Sequence, residues 1–228
     1  MTTHDLPAPE CVVAFGAHPD DVEINAGGTL AKWRAHGTDL HIVVCTDGSK
    51  GTWNPDADPT ALADERVAEL RAALDALGGG TAHWLGAIDG ELADSQILRE
   101  RAAAVIRAVR PTVVIGHDPW KRYRLHPDHE QAGRIAIGAI VAARDPHFFP
   151  HHEHEPWRPS TLLLFEAEEV DHTESVDGHL DAKANALLAH RSQWQSTFGI
   201  DLAAPDLDAF RRTFASAPTE AFHRVDEL

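Results

Sequence analysis

Two short stretches of this chain carry the same order of reactive side chains. His18-Pro19-Asp20-Asp21 and His126-Pro127-Asp128-His129 each place an imidazole, a proline and a carboxylate in succession. Donors at i and i+3 across a tight turn can face one centre, and proline lowers the entropic cost of ordering that turn. Catalytic zinc takes three protein donors from His, Asp and Glu and leaves a fourth position for water. One turn supplies a pair and the other a distant histidine. A spare carboxylate can then accept a proton, and a spare imidazole can stabilise an oxyanion or protonate a leaving group. Spacing leaves open whether Asp20 or Asp21 is the ligand. Taken alone, either turn reads first as a capped helix start; two of them at matching strand ends point to a metal.

The surrounding elements must bring the turns together. Residues 11–17 (CVVAFGA), 40–48 (LHIVVCTDG), 112–118 (TVVIGHD) and 160–167 (STLLLFEA) read as short buried strands, with 82–86 (AHWLG) as another. Residues 27–37 carry Leu30, Trp33 and the Arg34 stem at helical spacing, and Gly37 closes them. Residues 59–79 give the clearest helix, with Leu62, Val67, Leu70, Leu74 and Leu77 in phase and a glycine run to stop it. Helices are also expected over 95–109, 128–144 and 180–194, and an irregular loop over 146–159. This β-α-β-α rhythm predicts one Rossmann-like α/β domain over residues 1–228, a mainly parallel sheet flanked by helices. Ligands of such sheets bind outside the carboxyl ends of the strands. Both turns follow such ends.

Composition narrows the function classes. The 228 residues include 36 acids and 20 bases, a formal charge of −16. Nucleic acid and anionic membranes demand clustered Lys and Arg, so neither is an expected partner. The acidity reads as a solubility device. The first ten residues lack the basic and apolar regions of a secretory signal, and no apolar run approaches the ~20 residues that span a bilayer. A cytoplasmic protein with no membrane insertion is expected. Cys11 and Cys45 lie inside apolar runs and read as free buried thiols. The sixteen histidines stand out, because histidine is both a metal ligand and a neutral-pH acid or base.

Other features have plainer readings beside functional ones. Gly27-Gly28 reads as close packing at a helix start, since no dinucleotide or phosphate-loop pattern surrounds it. His147, His151, His152 and His154 read as an exposed histidine-rich loop before a second metal site. Trp120, Arg122, Tyr123 and Arg124 precede the second turn, where aromatic faces and arginine forks can flank a sugar, and packing explains the two aromatics equally well. Lys183, His190, Ser192 and Gln193 can approach the site from the late helix.

The segments AHPDDVEINAGGTLAKW and HPDH together resemble the LmbE/PIG-L family of zinc-dependent N-acetylglucosaminyl deacetylases. TDGSKGT with ERVAELRAALDALG, and KANALLAHRSQW, extend the likeness over about residues 11–195. The resemblance implies that His18, Asp21 and His129 bind the metal, that Asp20 is the general base and that His126 assists the tetrahedral intermediate. It places Arg66 against substrate and Asp89 on sugar hydroxyls. Ser49 stands where many relatives carry Glu, and WKRYRL replaces a glycine-rich stretch of other branches. The expected activity is hydrolysis of an N-acetyl amide on a small amino-sugar conjugate, with Zn2+ as cofactor and Fe2+ compatible with the same donors. The alternatives are an amidase acting on a larger thiol conjugate such as a mycothiol S-conjugate, or a metal-dependent sugar-binding domain without turnover. Homo-oligomerisation is left open.

Overall fold

In the computed structural model, which describes residues 2–215 and 218–228, the apolar runs become the middle of one eight-stranded sheet. Its strands are β1 (Thr3–His4), β2 (Cys11–Gly16), β3 (Asp39–Thr46), β4 (Thr81–Ala87), β5 (Val113–His117), β6 (Thr161–Phe165), β7 (His172–Ser175) and β8 (Thr219–Asp226). They lie in the order β1-β7-β8-β6-β5-β2-β3-β4. β8 runs antiparallel between β6 and β7, and the other pairings are parallel. The sheet is therefore mixed but mainly parallel, as the rhythm of the sequence predicts. β2 and β5 pair directly, Val12 opposite Val113, so the strands leading to the two His-Pro-Asp turns are neighbours.

Alternation along β2 splits the core in two. Val13 and Phe15 pack with α3 (Gln96–Val109) and α4 (Pro127–Arg144). Val12 and Ala14 pack on the other face with α1 (Asp21–Ala35), α2 (Pro59–Ala76) and α5 (Leu180–Ala189). α6 (Leu207–Ala215) precedes β8. Helix starts follow local chemistry. The Asp58 side chain accepts from Thr60 and Ala61 with Pro59 in the first turn of α2, and Ser95 caps α3 through Leu98. α3 ends at Arg110, in a left-handed conformation, just before Pro111.

α1 departs from expectation by starting at Asp21, inside the first turn, so that Gly27 and Gly28 lie within the helix. Close packing does explain them. A Cβ on Gly28 would stand 2.7 Å from Val176, where the chain after β7 crosses α1. Glu220 of β8 accepts from the backbone of Gly28 (2.9 Å) and Thr29 (2.8 Å) and from Lys183 Nζ (2.6 Å), tying the last strand to α1 and α5. Cys11 and Cys45 are free and buried.

The histidine-rich loop sits against the ends of α3 and α4. Arg107 of α3, 2% exposed, donates to the carbonyls of Ala142, Ala143, Asp145, Phe148 and Phe149. Backbone oxygens thus satisfy a buried guanidinium and fix the loop's course. Trp120 and Tyr123, 61% and 93% exposed, do not pack. Among the described residues, no helix is long and apolar enough to cross a membrane.

Candidate active site

The carboxyl ends of β2 and β5 open on a cavity of about 390 Å³. Its wall includes His18, Asp20, Asp21, Arg66, Asp89, Arg124, His126 and His129, with Gln193 from the late helix, while Lys183, His190 and Ser192 lie outside it. The first turn is wound tightly. Asp21 Oδ2 accepts from the backbone N–H of His18 at 2.7 Å, and Asp20 carries a positive φ of 121°. A non-glycine residue held in that region stores strain of about 1–3 kcal/mol, which the surrounding contacts must offset. The second turn opens α4, with Pro127 in its first position and His126 exposed at the cavity mouth.

Three groups of donors lie close enough to share a cation: His18, Asp21 and His129; His18, Asp89 and His126; and His117, His129 and Glu166. Geometry favours the first. Asp21 Oδ2 stands 3.3 Å from His18 Nδ1, and its other oxygen, Oδ1, stands 3.4 Å from His129 Nε2. Donors about 3.3–3.4 Å apart are what tetrahedral coordination at ~2.0–2.1 Å requires. Each ring then turns its other nitrogen to a carboxylate, the arrangement that orients metal-binding histidines. His18 Nε2 lies 3.2 Å from Asp89 and 3.3 Å from Asp128, and His129 Nδ1 lies 3.5 Å from Glu166. The second group would need the same His18 Nε2 that these carboxylates hold.

The electrostatics divide the adjacent aspartates. Burial raises the Asp20 carboxyl to about 6, against the pull of Arg66 and with the push of Asp21. Burial opposes charge on Asp21 as well, but His129, His117 and His18 hold it well below the usual carboxylate range. Burial likewise works against a charged His18, yet Asp128, Asp21 and Asp89 push it up to about 12. The carboxylate cage that favours a proton on His18 also favours a metal cation in its place. His126 has no such partner, and burial with His18 and His129 nearby keeps it below its ordinary value.

The two arginines expected to meet substrate have inward partners. Arg66 is 2% exposed, pairs with Asp20 at 3.2 Å and donates to the carbonyls of Gly48 and Pro19. A Cβ on Gly51 would lie 2.5 Å from its guanidinium, so glycine leaves the room it occupies. Arg124 contacts Glu166 and His129. Asp89 accepts from the backbone of Lys50 at 3.0 Å while facing His18. Two buried or half-buried groups escaped the sequence reading. His117, at the end of β5, stands 3.3 Å from both Asp21 and Glu166, the residue after β6. Burial disfavours its charge, but both carboxylates raise its pKa. The signal was present: each is a polar residue at the carboxyl end of a buried strand.

Known proteins resemble this chain in sequence and in fold. A diacetylchitobiose deacetylase of Thermococcus kodakarensis is 37% identical over 137 residues, 60% of this chain and 51% of that one. A 1D-myo-inositol 2-acetamido-2-deoxy-alpha-D-glucopyranoside deacetylase of Actinosynnema mirum is 31% identical, covering 96% of each chain. The solved N,N'-diacetylchitobiose deacetylase of Pyrococcus horikoshii, bound to an inhibitor, superposes with a TM-score of 0.83 at 26% identity, over 96% of this chain and 84% of that one. The family model described as PIG-L, GlcNAc-PI de-N-acetylase, matches residues 13–140, more than half of the sequence and a span that holds both His-Pro-Asp turns, and the chain belongs to that family.

Proposed function

We propose that this protein hydrolyses the N-acetyl amide of an N-acetylglucosamine-type conjugate, with a divalent cation, Zn2+ in our reading, held by His18, Asp21 and His129. The observation that carries this reading is Asp21 set 3.3 and 3.4 Å from the His18 and His129 rings, with a differently tuned carboxylate, Asp20, in the same cavity. Relatives named as deacetylases of acetylated amino sugars support the substrate class. Fe2+ takes the same donors.

Bound there, a divalent ion would polarise the amide carbonyl and acidify water. Asp20 takes the proton as the water oxygen bonds to the acetyl carbon, and its carboxyl, raised to about 6, suits that transfer near neutrality. Arg66 positions this carboxylate from behind. His126, neutral and at the mouth, donates an N–H to the oxyanion. Protonated Asp20 then gives its proton to nitrogen as the C–N bond breaks, yielding acetate and a free amine. Asp89 and Arg124 line the cavity where sugar oxygens would lie.

Purified protein reloaded with Zn2+ should release acetate from diacetylchitobiose or from an N-acetylglucosaminyl inositol, and a chelator should stop it. Metal-replete protein that binds these sugars without releasing acetate would favour the binding-domain reading. Turnover only of larger amides, with neither acetylated sugar cleaved, would favour the amidase.

A further inference from the structure

The opposite end of the sheet holds a second group of soft and nitrogen donors. Cys11 begins β2, and the parallel register sets it beside Asp39, the first residue of β3. His41 follows two residues along the same face. A cysteine sulfur, a carboxylate oxygen and an imidazole nitrogen from these three lie within 4.8 Å of one another. His41 Nε2 is 3.0 Å from Asp39 Oδ2, and His41 Nδ1 is 3.0 Å from Nε2 of His83 on β4. Cys11 and His41 are buried while Asp39 is exposed, so the cluster opens to solvent on one side.

We propose that Cys11, Asp39 and His41 form a second, non-catalytic site for a zinc-type divalent cation. A thiolate with an imidazole and a carboxylate selects Zn2+ or Co2+ over Mg2+ or Ca2+. In the free chain His41 Nε2 donates to Asp39; an ion held between the two takes the tautomer with the proton on Nδ1, where His83 Nε2 accepts it and fixes the ring. On binding, the thiol proton leaves to solvent as the sulfur–metal bond forms, and water takes the fourth position. The histidine-rich loop lacks this logic. Arg107 donates to His152 Nδ1 at 3.2 Å, which places that ring's proton on the Nε2 that would face a cation. Counted along β2 at ~3.3 Å per residue, Cys11 and Gly16 are about 16 Å apart, so the new site does not touch the catalytic cavity.

Cobalt separates the two centres, because the catalytic donors include no sulfur. Chelator-stripped protein reloaded with two equivalents of Co2+ should show a thiolate-to-cobalt charge-transfer band in the near ultraviolet. Cys11→Ser should lose the band and one of two bound ions, with deacetylation unchanged. Asp39→Asn changes an exposed side chain and should fold normally while weakening uptake of the second ion at least tenfold. Absence of the band in wild type, its survival in Cys11→Ser, or second-ion affinity unchanged in both Asp39→Asn and His41→Gln would overturn the assignment.

Discussion

The two His-Pro-Asp turns share a motif and divide the labour. The first is pressed against the end of β2, with His18, Asp20 and Asp21 all buried and Asp20 in strained backbone. The second lies nine residues past the end of β5, starts a helix with ordinary geometry, and exposes His126. Their carboxylates are exchanged. Asp21 of the first turn meets His129 of the second, while Asp128 of the second reaches back to His18 and also accepts from Gly90 and Leu92. Each turn therefore orders the other's imidazole. A repeated motif here does not mean repeated roles, and the position of each residue relative to its strand end decides its use.

The largest expected effect breaks the exchange at its centre. Asp21→Ala should lose the ion of the catalytic cavity, one per chain, and take activity to background, and His129→Ala should match it. His126→Ala should keep its metal and lose rate. Elemental analysis of the three variants checks this, and equal metal loss in His126→Ala would erase the distinction between the turns.

Next comes proton transfer. Asp20→Asn keeps shape but cannot accept a proton, so kcat should fall about 10²–10⁴-fold with metal content intact. The substrate KM should change little, because the lost group acts in the transition state. Near-normal turnover in metal-replete Asp20→Asn would put the base elsewhere. Smaller still is Asp128→Asn, which removes the charge of one of the two carboxylates that orient His18. Metal affinity should drop about 10–100-fold, read by competition with a chromogenic chelator, and excess metal should restore most activity.

The smallest effect concerns the layer beneath the first turn. His190 Nε2 lies 3.3 Å from Glu23, both buried. Burial opposes charge on His190, but Glu23 and Asp20 raise its pKa above 6.5. The folded state therefore holds this proton more tightly than the unfolded chain. The resulting stability is present in full below pH 6.5 and is lost as pH rises through the raised value. Urea midpoints of wild type and Glu23→Gln should converge as pH rises above 6.5; a gap that widens instead would contradict the ion pair.

Much of this was legible in the sequence. Buried strands and helices with clear apolar periodicity, such as those bearing Val12 to Phe15 and Leu70 to Leu77, declare themselves locally. The two turns carry their chemistry in four letters each. Periodicity starts α1 six residues late because its first turn is written for the site, with Asp21 and Glu23 where an apolar stripe would be. β7 (HTES) and β8 (TEAFHRVD) carry many polar residues, and pairing across 59 positions between Leu164 and His223 leaves no local mark. For Arg66 the sequence shows a charge but not the carbonyls of Gly48 and Pro19 that turn it toward Asp20, and its place in the cavity wall keeps the substrate contact that the resemblance implies a proposal.

The antiparallel strand β8 has a consequence for the order of synthesis. The proposed metal donors and the carboxylates Asp89, Asp128 and Glu166 that hold their rings have all been made once Glu166 has, and β2 to β6 can pair as they emerge. β7 and β1 reach that half only through β8, some fifty residues later. Until residues 219–226 arrive, β6 presents a bare apolar edge, TLLLF, of the kind that recruits foreign strands. Nascent chains stalled before Thr219 should thus hold an assembled catalytic end and still be the species most prone to aggregate.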